Sequence, residues 1–154
     1  MNIVSLLNTS SVLPGLKAGS KEEVLEKLID TLKSQVNPGE LEKIREAVME
    51  REQIMSTGVG KGLAIPHGKA AGIENNYAAF ALLEEPVDYQ SIDGEPVSMV
   101  FLLVGPKGSN SLHIKTLSRI SRLMNNADFR RRLEACDDAA EILEVFEEQE
   151  QVRS

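Results

Sequence analysis

Two apolar runs, residues 77–83 and 97–104, set the strongest limit on how this chain can fold, because neither alternates between apolar and polar residues. A strand with one wet face alternates with period two. A run that is apolar at both parities needs cover on both of its faces. Each is therefore expected to be a strand in a sheet that has helices on either side. Neither is a membrane span, since the longer run is interrupted by Ser98 and is far below the roughly 20 residues a bilayer requires.

The flanking sequence supplies the covering helices. Ser20 and Glu23 have capping-box spacing, and Val24, Leu25, Leu28, Ile29 and Leu32 follow at helical spacing, predicting a helix over 21–34. Asn37 is a second cap, with Pro38 at the first helical position and Glu40 three residues after the cap. Leu41, Ile44 and Val48 carry that helix to about Glu50 or Arg51. On the far side of the runs, Leu117, Ile120, Leu123 and Met124 mark a third helix starting near Asn110 or Ser111. Asn126 and Asp137 are candidate caps for two closing helices through Phe129/Leu133 and Ile142/Leu143/Phe146.

Five glycines (58, 60, 62, 68 and 72) mark the stretch 53–76 as loop-rich, with Leu63, Ala64 and Ile65 a short apolar piece ended by Pro66. Asp93-Gly94 is a turn signal, and residues 87–92 have room for a short strand. Helices, then strands, then helices, within 154 residues, predict one α/β domain over 1–154: a mixed β-sheet sandwiched between helices.

Composition narrows the chemistry. A net charge of −7 and six aromatic residues argue against nucleic acid as a partner. A basic stretch, Lys115, Arg119, Arg122 and Arg130 to Arg132, reads either as a solvated helix face or as a docking surface for an acidic partner or phosphate. One cysteine, Cys136, excludes an internal disulfide and any thiolate-rich metal or iron–sulfur site. With no secretory leader visible, the protein is expected in the cytoplasm, without direct membrane insertion.

Two histidines, 46 residues apart, do not form a zinc motif, and no metal is expected. There is no G-x-S-x-G nucleophile elbow. The glycine loop fails the P-loop pattern, because Met55 occupies the first glycine position and Gly62 the Ser/Thr position. It also fails G-x-G-x-x-G, because Leu63 stands last, so no nucleotide cofactor is expected.

A local constellation remains. Arg51 ends a helix, the loop carrying Ser56, Thr57, Gly58 and Gly60 offers hydroxyls and backbone N–H groups, and His67 sits between Pro66 and Gly68. A guanidinium and loop amides suit phosphoryl oxygens, and a neutral imidazole is a competent nucleophile toward phosphorus. Alternatively, Pro66-His67-Gly68 is a plain turn. His113, in the first turn of the third helix, is either near an anion-favouring helix terminus or a surface histidine.

Glu52, followed by the unbroken run from Ser56 to Gly68, resembles the signature of the fructose/mannitol/nitrogen-regulatory class of enzyme IIA proteins of the phosphoenolpyruvate-dependent phosphotransferase system. The likeness extends through Asp93-Gly94-Glu95-Pro96-Val97 and Leu112-His113, over nearly the whole chain. Ser118 and Ser121 depart from it, standing where the family's third helix often has small apolar residues. The resemblance implies that His67 accepts a phosphoryl group, that Arg51 supports the phosphorylated ring, and that His113 is a second active-site histidine. It implies a histidine-containing phosphocarrier protein as donor and a IIB domain or a regulatory target as the next partner. No IIB or IIC segment lies within these residues, which favours the nitrogen-type regulatory form. A sugar-transport IIA serving a separate IIB, and a binding module that has lost the relay, are the alternatives.

Overall fold

The computed structural model describes residues 2–153. Its centre is a six-stranded mixed sheet. Its strands are β1 (Val12–Leu16), β2 (Gly58–Gly60), β3 (Leu63–Ala64), β4 (His67–Ala70), β5 (Tyr77–Val87) and β6 (Val97–Pro106). The helices are α1 (Lys21–Asp30), α2 (Pro38–Ile54), α3 (Asn110–Met124), α4 (Ala127–Glu134) and α5 (Ala139–Arg153). The sheet order is β1-β5-β6-β3-β2, and β4 pairs with the far end of β6.

The two apolar runs are the neighbouring central strands. β5 and β6 pair antiparallel from Tyr77 opposite Val104 to Leu82 opposite Met99, and the two runs are buried throughout except at Tyr77 and Ser98. Residue parity divides their side chains between two cores. Ala79, Ala81 and Leu83 with Val100, Leu102 and Val104 pack against Val24, Leu28, Ile29, Ile44 and Val48 of α1 and α2. Ala78, Phe80 and Leu82 with Met99, Phe101 and Leu103 pack against Ile120, Phe129, Leu133, Ile142 and Phe146 of α3, α4 and α5. The expected sandwich of helix, mixed sheet and helix is the observed architecture.

The helix starts follow the local signals, with departures of one to a few residues. Asn37 and Glu40 form a reciprocal capping box, with contacts of 2.8 and 2.9 Å. Ser20 caps α1, but the Glu23 carboxylate accepts the N–H of Gly19 at 2.7 Å instead of that of Ser20. The predicted helix over 21–34 is α-helical only to Asp30 and finishes as a 3-10 turn, Thr31–Ser34. Asp138, one residue beyond the expected Asp137, caps the closing helix, accepting from Glu141 N at 2.9 Å. No separate strand forms over 87–92; β5 runs on to Val87, and Tyr89 is a fully buried loop residue. Strands β1, β2 and β4 lie where the sequence predicts none: β1 contains Pro14 and Gly15, β2 is built on Gly58 and Gly60, and β4 is only four residues long.

The chain's ends are tied together. Glu150, on α5 and 5% exposed, accepts the backbone N–H groups of Ile3 and Val4 at 2.8 and 2.6 Å and pairs with Arg119 of α3 at 3.3 Å. Among the described residues, no helix is long and apolar enough to cross a membrane.

Phe146 makes edge contacts with Phe80, Phe101 and Phe129, with ring centres 5.1 to 5.8 Å apart. Phe146→Ala is expected to lower unfolding stability by about 3–5 kcal/mol, since it opens a cavity in the α3–α5 core. Asn37→Ala, which removes only a cap, is expected to cost about 1 kcal/mol. Urea denaturation followed by circular dichroism measures both.

Candidate active site

His67 is the first residue of β4, whose register alongside β6 sets it opposite Leu103. Pro66 closes the preceding segment, and its carbonyl still accepts the N–H of Leu103 at 3.0 Å, so the strand begins without needing a proline N–H. Gly68 follows for a packing reason. A Cβ there would lie 3.0–3.2 Å from backbone atoms of Ala47 and Val48, so only glycine lets α2 settle directly on β4. That close approach brings the last turns of α2, and Arg51 with them, beside His67.

The His67 ring is held by one contact. Nδ1 lies 2.9 Å from the carbonyl oxygen of Ile65. A carbonyl only accepts, so Nδ1 carries the proton and Nε2 keeps the free lone pair. Burial lowers the proton affinity of His67 below the ordinary value; the Ile65 hydrogen bond opposes this, Arg51 adds to it, and Glu52 opposes it more weakly. His113, on the first turn of α3, is 6% exposed, and its ring centre is 5.9 Å from that of His67, tilted by 50°. Its proton affinity is also lowered, first by burial and then by the neighbouring His67 and Lys69. The His113 Nδ1 atom is buried without a hydrogen-bond partner and abuts Gly105, where an added Cβ would sit 3.4 Å from it.

Both histidines line one open cleft of about 900 Å³ between α2, β4 and α3. Arg51, Lys43, Lys69 and Lys107 line it with Glu46 and Glu50, giving a local excess of positive charge in a chain of net −7. Lys69 lies two residues after His67 on the same face of β4 and donates to Asn110 at the start of α3. Ile54 and Ile114, also at the cleft, are 79% and 63% exposed, and Met55 and Leu112 nearby are 68% and 39% exposed. Sequence reasoning missed Lys69 because β4 had not been recognised, so the parity that places it beside His67 was hidden.

Arg51, His67 and His113 are thus brought together. Ser56, Thr57, Gly58 and Gly60 do not line the cleft, and the reading of them as a phosphoryl-binding loop is revised. The Ser56 hydroxyl donates to the Tyr89 carbonyl at 2.9 Å and accepts from Gly58 N at 3.1 Å. Thr57 turns both its N–H and its hydroxyl onto the Glu52 carboxylate. Gly60 belongs to the short β2–β3 hairpin, beside Asp93. The Ser56 and Thr57 hydroxyls and the Thr57 and Gly58 N–H groups are satisfied internally and not presented to an anion in the cleft.

Half of the six cations of the basic stretch, Arg119, Arg131 and Arg132, are engaged in ion pairs on its own surface. Arg119 pairs with Glu150, Arg131 with Asp128 and Arg132 with Glu148, while Arg130 donates to the Met124 carbonyl at 2.8 Å. Among the described residues, no group of three His, Cys, Asp or Glu side chains is arranged to hold a metal ion.

The helix-flanked mixed sheet is the fold of solved phosphotransferase-system IIA proteins. The chain belongs to that family: the description "Phosphoenolpyruvate-dependent sugar phosphotransferase system, EIIA 2" matches residues 5–149. It is 40% identical over 147 residues to a nitrogen regulatory protein of Bradyrhizobium diazoefficiens, covering 95% of each chain. It is 32% identical over 146 residues to the fructose-specific EIIABC component of Bacillus subtilis, covering 95% of this chain and 23% of that protein. Among solved structures, the nitrogen regulatory protein IIA-Ntr of Neisseria meningitidis superposes with a TM-score of 0.84 at 30% identity, covering 94% of this chain and 98% of that one.

In a nuclear magnetic resonance titration, both imidazoles are expected to protonate below the ordinary midpoint of 6.5. With folded-state values below the unfolded one, the rings contribute stability that is present above that midpoint and lost as pH falls through the folded values. Gly68→Ala is expected to push α2 off β4, lowering the melting temperature and disturbing the Arg51 and His67 resonances together.

Proposed function

We propose that this phosphotransferase component is a phosphoryl relay of the nitrogen-regulatory type, with His67 Nε2 as acceptor. The observation that carries the reading is the Nδ1–H bond to the Ile65 carbonyl, which leaves Nε2 as the nucleophile on a ring lining a cation-rich cleft. The donor is a phosphohistidine carrier protein. As its phosphoryl group moves in line, the donor's P–N bond breaks and its electron pair returns to the donor imidazole. The lone pair of Nε2 forms the new P–N bond, and the proton stays on Nδ1, hydrogen-bonded to the Ile65 carbonyl. Burial favours the neutral, nucleophilic ring near pH 7. Arg51, with Lys69 nearby, balances the charge of the phosphoryl oxygens, so catalysis is positioning and electrostatics. His113 contacts the phosphoryl group or orients the His67 ring.

The exposed Ile54, Met55, Leu112 and Ile114 around the cleft support docking of a protein over the site, first the carrier and then a regulatory target. The relay works in the cytoplasm, where its carrier is found. The 40% identity to the Bradyrhizobium nitrogen regulatory protein supports the regulatory type. A second reading, in which the group passes to a separate fructose- or mannitol-type IIB, is supported by the 32% identity to the fructose-specific Bacillus protein.

The test uses phosphoenolpyruvate with the two general phosphotransferase proteins. The chain is expected to acquire one acid-labile phosphoryl group, on Nε2 by ³¹P and ¹⁵N resonance, and to lose it entirely in His67→Ala. A label that persists in His67→Ala, or one located on Nδ1, overturns the assignment.

A further inference from the structure

Glu52 is a buried carboxylate next to the cleft, 7% exposed, and the transfer step described above does not use it. Four groups converge on it. Lys21, the first residue of α1, places Nζ 2.7 Å from Oε2, and Thr57 N–H donates to the same oxygen at 2.7 Å. The Thr57 hydroxyl donates to Oε1, and the Tyr89 hydroxyl donates to it at 3.2 Å. Lys21 Nζ also lies 4.6 Å above the centre of the fully buried Tyr89 ring, so the ion pair is enclosed on that side by an aromatic face.

A buried ion pair of this kind adds little net stability over an apolar pair of the same volume, because desolvation offsets the attraction. It does impose direction. Glu52 ties the end of α2 to Thr57, five residues on, and so closes the 52–57 turn from within. The carbonyl of Met55, inside that turn, accepts from Arg51 Nη1 at 2.8 Å. Arg51 is thereby tethered to a turn whose shape Glu52 fixes.

We propose that Glu52 is a positioning residue for the transfer, on the reading that His67 accepts the phosphoryl group. Its buried carboxylate locks the 52–57 turn, the turn's Met55 carbonyl holds the Arg51 guanidinium beside His67, and Lys21 is the counter-ion that makes the burial tolerable. Neighbouring residues 51 and 52 thus divide the work, one toward the phosphate and one toward the core.

Removing only one charge leaves the other buried and unpaired, so the informative variant is the pair Lys21→Met/Glu52→Gln, made with Arg51 intact and in an Arg51→Gln background. With Arg51 intact, phosphorylation of His67 by the carrier is expected to slow on the order of 10-fold, while the protein still melts cooperatively. In the Arg51→Gln background, the same pair of changes is expected to alter the rate by less than about 2-fold, because Glu52 acts through Arg51. Equal fractional losses in the two backgrounds, or no loss in either, overturn the proposal. Resonance of the Arg51 Nη1 protons gives a readout that needs no phosphoryl transfer: in the natural protein a distinct signal slowed in exchange by the Met55 carbonyl, averaged with the other guanidinium protons in the paired variant. An unchanged Arg51 signal also overturns the proposal. Failure of the natural chain to be phosphorylated on His67 overturns the relay reading alone, and the Arg51 signal then decides the role of Glu52.

Discussion

The antiparallel ladder between β5 and β6 is what the other elements lean on. Its side chains leave the sheet in both directions, aromatic and aliphatic on one face and smaller residues on the other. Each face therefore has to be covered, and the chain does so with α1 and α2 before the strands and α3 to α5 after them. Burying both faces of two long strands stabilises the domain by the hydrophobic effect alone, without cross-links. The remaining strands are short because they only extend a platform that already exists. β4, four residues long, is held by its register with β6, and that register is what sets His67 in place.

The site shows how little machinery such chemistry needs. On the relay reading proposed above, a ring whose proton affinity burial lowers, with its tautomer set by one carbonyl, meets a guanidinium and lysines suited to offsetting phosphate charge. Apolar residues surround it and suit a protein partner better than a small molecule. Close backbone packing at Gly68 matters as much as any charged group, since it sets the distance between the helix that carries Arg51 and the strand that carries His67.

Much of this was legible in the sequence where the signal is local. Helix starts follow from a cap and a residue three positions on, as at Asn37 and Glu40, and the double-sided strands follow from runs with no polar parity. Arg51, His67 and His113 were legible as types suited to phosphoryl chemistry, and the family signature joined them. What stayed hidden depends on partners distant in sequence. The direction of the Ser56 and Thr57 hydroxyls is decided by Glu52 and by Tyr89, a loop residue more than 30 positions away. No local pattern reveals that these groups face inward. β4 has no apolar rhythm of its own and exists because β6 offers it an edge. β1, with Pro14 and Gly15, forms at the sheet's outer edge by pairing with β5.

The two cores have a bearing on the pair of histidines. α2 and its arginine rest on one core, whereas α3 and His113 rest on the other, so the cleft sits on the seam where two separately packed layers meet at the rim of the sheet. On the docking reading proposed above, a protein seated over the cleft touches both layers at once. The separation of the two imidazoles, 5.9 Å between ring centres, is then a gauge of how the layers sit on one another, and a shift of either layer is registered at the His67 ring.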